Sequence, residues 1–172
     1  MLRKVWARQG GRPRAVVAQR YQWFYVCSFV EPESGASLSL LVDGMDSEVM
    51  SWVLKEFQAW VGEGTAWVGE GTAWVGEGTA WVVLDRAGWH VSRRVEVPEG
   101  VALDYLPPYS PELQPAERMW PLVNEAVANR YFETLEAMMA VVAERCQVLS
   151  ADPATVRKHT LFHWWPRMKE ST

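Results

Sequence analysis

The sequence predicts an α/β fold in a single domain spanning residues 1–172. Two observations carry that prediction. Short apolar segments of strand length are interspersed with longer segments whose apolar residues recur at helical spacing. Apolar residues make up 49% of the chain and charged residues 22%, a globular composition. A length of 172 residues suits one domain and is enough for a hydrophobic core.

Residues 21–30, YQWFYVCSFV, are aromatic and β-branched and read as a buried strand. EPESG at 31–35 is a turn, and ASLSLLVD at 36–43 alternates as a second strand, so 21–43 forms a hairpin. Asp46 can cap a helix over 47–60, which places Val49, Val53, Phe57 and Trp60 on one face. WVVLD at 81–85 is a short strand ending on an acid, and VALDYL at 101–106 is another. The rigid loop PPYSPELQP leads into a helical stretch from about residue 115, which Pro121 should kink or restart. A final long helix covers about 134–149. Its stripe Leu135, Met138, Met139, Val142, Cys146 and Leu149 faces a core, which makes Cys146 structural.

The word VGEGTAW occurs three times without error, at 61–67, 68–74 and 75–81. A coiled coil is excluded, because two glycines in each heptad cost about 1 kcal/mol apiece in a helix. One copy suffices to join the helix ending near Trp60 to the strand at 81–85, so 61–81 reads as an inserted surface loop. Deleting residues 61–74 should leave the fold intact or improve it, and a large fall in melting temperature would show that the repeats pack into the core. The alternative is a tryptophan-bearing binding tract.

The net charge of −4 conceals an asymmetry: residues 1–20 hold six basic side chains and no acid. Arg3, Lys4, Arg8, Arg12 and Arg14 in that arm are candidate phosphate contacts, with a solvated terminus as the bland alternative. No apolar run is long enough for a membrane span, and no secretory signal is present, so a cytoplasmic location is expected. Two cysteines inside apolar patterns argue against a disulfide framework, and three scattered histidines against a zinc site.

Two segments could carry chemistry: VVLDRAGWHVS at 82–92 and LDYLPPYSPELQPAERMW at 103–120. Asp85 ends a buried strand, where α/β sheets present catalytic groups, although an Asp there can equally form a turn. Gln114 can cap a helix, Pro115 suits its first position and Glu117 lies in its first turn, where an acid can equally belong to a capping box. A strand-end Asp and a helix-start Glu can converge on Mg²⁺, which favours one or two carboxylates plus phosphate oxygens. Two such ions can assist phosphodiester cleavage.

VVLDRAGWHVSRR, LPPYSPELQPAERMW and FHWWP, together with the Trp6-Ala7 segment, Gly11-Arg12-Pro13 and YQWFYV at 21–26, resemble the DDE catalytic domain of bacterial insertion-sequence transposases related to the mariner group. The proline-rich loop running into PAER is the most specific part. The resemblance implies a ribonuclease-H-like mixed sheet flanked by helices, with three carboxylates holding two Mg²⁺ or Mn²⁺ ions. It implies that Asp85 is the second acid, Glu117 the third, and His90 a histidine close to the site. It also implies partners: transposon ends and target DNA, and other transposase subunits. The family's first Asp lies upstream of the Trp-Ala segment, so that acid, its strand and the preceding helix-turn-helix are expected to be missing here. An upstream-encoded half could supply them. A site with two of three carboxylates should not nick supercoiled DNA on its own with Mg²⁺. The alternative function is a noncatalytic remnant that binds DNA or transposase subunits. An acid/base hydrolase using Asp85 and Glu117 and a proline-rich peptide ligand at PPYSPE are weaker readings.

Overall fold

The computed structural model describes residues 9, 22–62, 73–76 and 79–163, with 73–76 described as backbone only. Two small sheets are flanked by helices. β1 (Tyr25–Val30) and β2 (Ser37–Val42) form an antiparallel hairpin, in register from Tyr25↔Val42 to Val30↔Ser37. β3 (Ala73–Gly76), β4 (Thr79–Leu84) and β5 (Val101–Tyr105) form a second sheet in that order, β3 antiparallel and β5 parallel to β4. The helices are α1 (Ser47–Gly62), α2 (Met119–Asn124), α3 (Leu135–Ser150) and α4 (Pro153–Thr160).

Each element follows from local chemistry. Asp46 Oδ1 accepts from the amides of Glu48 (2.9 Å) and Val49 (2.8 Å), satisfying two donors at the start of α1. Val53 and Phe57 are buried on its inner face, where Phe57 stacks on Phe29 of β1 with ring centroids 4.6 Å apart. Such a pair adds about 0.5–1.5 kcal/mol beyond the area it buries. Thr134 Oγ1 caps α3 by accepting from Ala137 N at 3.1 Å, and Val142, Cys146 and Leu149 are buried as their spacing predicts. Burial pushes the Cys146 thiol above its ordinary pKa, which suits a structural rather than a reactive cysteine. Cys27 is likewise buried, and its thiol donates to Met45 Sδ at 3.6 Å.

Three features differ from the sequence expectation. The stretch from 115 opens as a 3-10 turn, Pro115–Arg118, and becomes α-helical only at Met119. Pro121 then lies in the first turn of α2, where a missing N–H breaks no helical bond. Gln114 stands at the cap position, but its side chain makes no capping bond. The second difference is α4, which no periodicity in the sequence announces. Asp152 Oδ1 caps it through Thr155 N (3.1 Å), and Arg157 Nε donates to Glu33 O (2.7 Å) in the β1–β2 turn. Gly35 in that turn has φ +82° and sits against Pro153, where a Cβ would lie 1.9 Å from the carbonyl oxygen, so only glycine fits.

The third concerns the repeat. Residues 73–76 and 79–81 are strand and pair antiparallel, with Gly76 opposite Thr79 and Trp74 opposite Trp81. The tetrapeptide Ala-Trp-Val-Gly occurs at 59–62 as the last turn of α1 and at 73–76 as β3. Identical letters therefore take opposite structures. At 59–62 the chain extends a helix already capped and packed, with Trp60 against Phe57 at 6.5 Å. At 73–76 it pairs with β4.

The connection from β4 to β5 runs along α1. Ser51 Oγ accepts from Glu96 N (2.9 Å), Gln58 Nε2 donates to Glu99 O (2.6 Å), and Lys55 pairs with Glu96 at 3.3 Å. This fixes the long loop that begins at Asp85.

Candidate active site

Asp85 is the first residue after β4. Ala80, Val82 and Leu84 are buried in alternation along that strand, so the chain leaves the core immediately before the acid. Leu106 N donates to Leu84 O at 2.9 Å, extending the parallel pairing to the strand ends. The Asp85 side chain is 56% exposed. Its Oδ1 takes two bonds, from Ala87 N at 2.9 Å and from His90 Nδ1 at 2.6 Å. With Nδ1 as the donor, the imidazole holds the carboxylate in one orientation. Among the described residues, nothing bonds Oδ2.

His90 is buried, with its side chain only 7% exposed. Its amide and that of Val91 both donate to Ala87 O, at 2.9 and 3.2 Å, closing the loop into a turn. Its carbonyl accepts from the Tyr105 hydroxyl at 2.9 Å. Tyr105 lies at the end of β5, opposite Leu84 in register. Arg86 Nε donates to Leu106 O at 3.2 Å. The loop is therefore tied to itself and to the neighbouring strand. Tyr105 and Arg86 were not singled out from sequence. The signal available in the sequence was no more than Tyr105 near the end of the apolar segment VALDYL.

Glu117 lies in the Pro115–Arg118 turn, which packs against β1 and α4. Pro115 and Ala116 are buried, whereas Glu117 is exposed. Its amide donates to Gln114 O at 3.1 Å, but no described residue bonds or pairs with its carboxylate. The structure thus brings Asp85 and His90 into contact, and leaves Glu117 on a separate element, bonded to neither. Arg3, Lys4, Arg8, Arg12 and Arg14 lie outside the described residues.

Four other acids are committed elsewhere. Glu31, the first acid in the chain, accepts from Glu33 N (2.9 Å) and from Ser34 N inside its own turn. Asp46 and Asp152 cap helices, and Asp104 Oδ1 accepts from Tyr105 N (2.8 Å). Among the described residues, no group of three or more His, Cys, Asp or Glu side chains could hold a metal ion. Asp85 and Glu117 fit a hard divalent cation in kind, each offering carboxylate oxygen that no described residue engages. They are two candidate ligands rather than a closed cage.

Residues 1–139 match the DDE superfamily endonuclease family, and the chain belongs to it. The family's ribonuclease-H-like architecture agrees with the mixed α/β arrangement described above. The chain is also 29% identical over 143 residues to "Uncharacterized protein y4pE/y4sA" of Sinorhizobium fredii (strain NBRC 101917 / NGR234), covering 83% of this chain and 96% of that protein. No solved structure matches the chain. Among the described residues, no helix is long and apolar enough to cross a membrane.

Proposed function

We propose that this DDE superfamily endonuclease domain is the catalytic part of an insertion-sequence transposase of the mariner-related group, acting on transposon ends and target DNA in the cytoplasm. The observation that carries the reading is the Asp85–His90 contact of 2.6 Å at the end of a strand parallel to its neighbour, in a chain of an endonuclease family. Asp85 and Glu117 would hold the divalent cation, Mg²⁺ or Mn²⁺, and the arrangement in intact members takes two such ions. When bound, the cation polarises the scissile phosphate and offsets charge developing on its oxygens. His90 and the Ala87 amide occupy Oδ1 of Asp85, which leaves Oδ2 for the metal side. His90 thus acts as a positioning residue. Glu117 supplies an exposed carboxylate on a turn whose backbone is anchored by Pro115 and Ala116.

The third carboxylate is proposed to come from outside these 172 residues. The bonds already made by Glu31, Asp46, Asp104 and Asp152 support this. Mn²⁺ binding followed by electron paramagnetic resonance tests the ligand assignment. Asp85→Asn and Glu117→Gln should each weaken binding at least about tenfold, a difference of about 1.4 kcal/mol. Unchanged binding in both variants would overturn it. The chain alone should not nick supercoiled plasmid with Mg²⁺, and nicking abolished by Asp85→Asn would show that no outside carboxylate is needed.

A further inference from the structure

An aromatic surface adjoins the acid. Trp89 precedes His90, and the two rings meet edge to face with centroids 5.9 Å apart. On its other side Trp89 meets Tyr25 at 6.4 Å, again edge to face. Tyr25 opens β1 from a different sheet and is 37% exposed, and Trp23, two residues earlier, is 63% exposed. Asp85, His90, Trp89 and Tyr25 thus form a continuous row from carboxylate to aromatic surface. The neighbouring loop residue Gly88 has open space around it: a Cβ there would meet nothing within 4 Å. Packing explains the inner edge of Trp89 against His90. It does not explain why Tyr25 is left 37% exposed beside it, since large aromatics gain most by burial.

We infer that Trp89 and Tyr25 form a stacking platform for an unpaired nucleobase next to the phosphate that Asp85 serves, so that the site takes locally single-stranded rather than fully paired DNA. This rests on the endonuclease reading and adds the form of its substrate. A base has a π-face whatever its identity, so stacking on Trp and Tyr is tolerant of sequence, and the basic arm can follow the backbone independently.

The test is binding in EDTA, which removes any contribution from metal. Fluorescence anisotropy would compare an oligothymidine of about 15 nucleotides, within the span that stacking grooves cover, with an abasic strand of the same length. The wild-type chain should prefer the strand with bases by about tenfold, the effect of one stacked base. Trp89→Ala should abolish that preference, Trp89→Phe should retain most of it, and Tyr25→Ala should reduce it. Equal binding of both strands by the wild type overturns the inference, as does a preference that survives Trp89→Ala. Should Trp89→Ala not fold, Tyr25→Ala on the separate hairpin decides in the same way. Mn²⁺ binding unchanged in both Asp85→Asn and Glu117→Gln would instead sink the metal-ligand assignment, leaving this result to be read separately.

Discussion

The two candidate metal ligands are held by opposite means. Asp85 is fixed through its side chain: His90 and the Ala87 amide grip Oδ1, and Tyr105 pins the His90 carbonyl to β5. Glu117 is fixed through its backbone, by the burial of Pro115, Ala116 and the following Met119, while its exposed carboxylate is bonded by no described residue. The first arrangement orients an oxygen in advance. The second fixes where a carboxylate is attached and leaves its rotamer free. The proposed cation would therefore have to order Glu117, whereas it would meet Asp85 already oriented.

The largest break in that contrast removes the Glu117 platform. Met119 is fully buried, and Met119→Ala should lower unfolding free energy by about 2–5 kcal/mol in urea titration. If the two regions are held separately, the His90 ring resonances of the folded variant stay where they are. Tyr105→Phe attacks the other side. Losing its bond to the His90 carbonyl should cost about 0.5–1.5 kcal/mol and shift the His90 resonances. An unshifted spectrum would mean that the loop holds itself without β5.

Smaller effects sharpen the comparison. Acid should loosen the Glu117 side through α4, which packs on the 115–118 turn. The Thr155 hydroxyl and amide hold the Asp152 carboxyl below its ordinary value of 3.8. A depressed folded pKa contributes stability that is present above 3.8 and lost as pH falls through the folded value. Thermal melts from pH 5 downward should show that loss in the wild type and less of it in Asp152→Asn, which keeps a capping oxygen without the charge. Smallest of all is Glu117→Gln, which should change stability by no more than about 0.5 kcal/mol because nothing folded depends on that carboxylate. A larger fall would reveal a structural partner for it.

Much of the frame was legible because local chemistry dictates it. The Asp46 cap, the helical stripe through Val142, Cys146 and Leu149, and the apolar run before Asp85 each act within a few residues. Asp85 was singled out by its place at a strand end, whereas His90 entered only through the family resemblance; the structure puts the two in contact at 2.6 Å. What escaped was non-local. Tyr105 reaches His90 only because β5 lies parallel to β4 with Tyr105 opposite Leu84. Trp89 meets Tyr25 across 64 positions of chain. α4 is short and polar, and its place depends on Gly35 and Glu33 in a distant turn.

The repeat separates the two kinds of information most cleanly. The sequence by itself determined the caps, the apolar periods, the acid at a strand end and the family to which these letters belong. It could not determine what Ala-Trp-Val-Gly becomes, since that word is helix at 59–62 and strand at 73–76. Its intrinsic preferences are weak and mixed, with alanine favouring helix, valine and tryptophan favouring strand, and glycine favouring neither. The neighbours decide: a capped, packed helix extends through one copy, and the edge of β4 takes up the other.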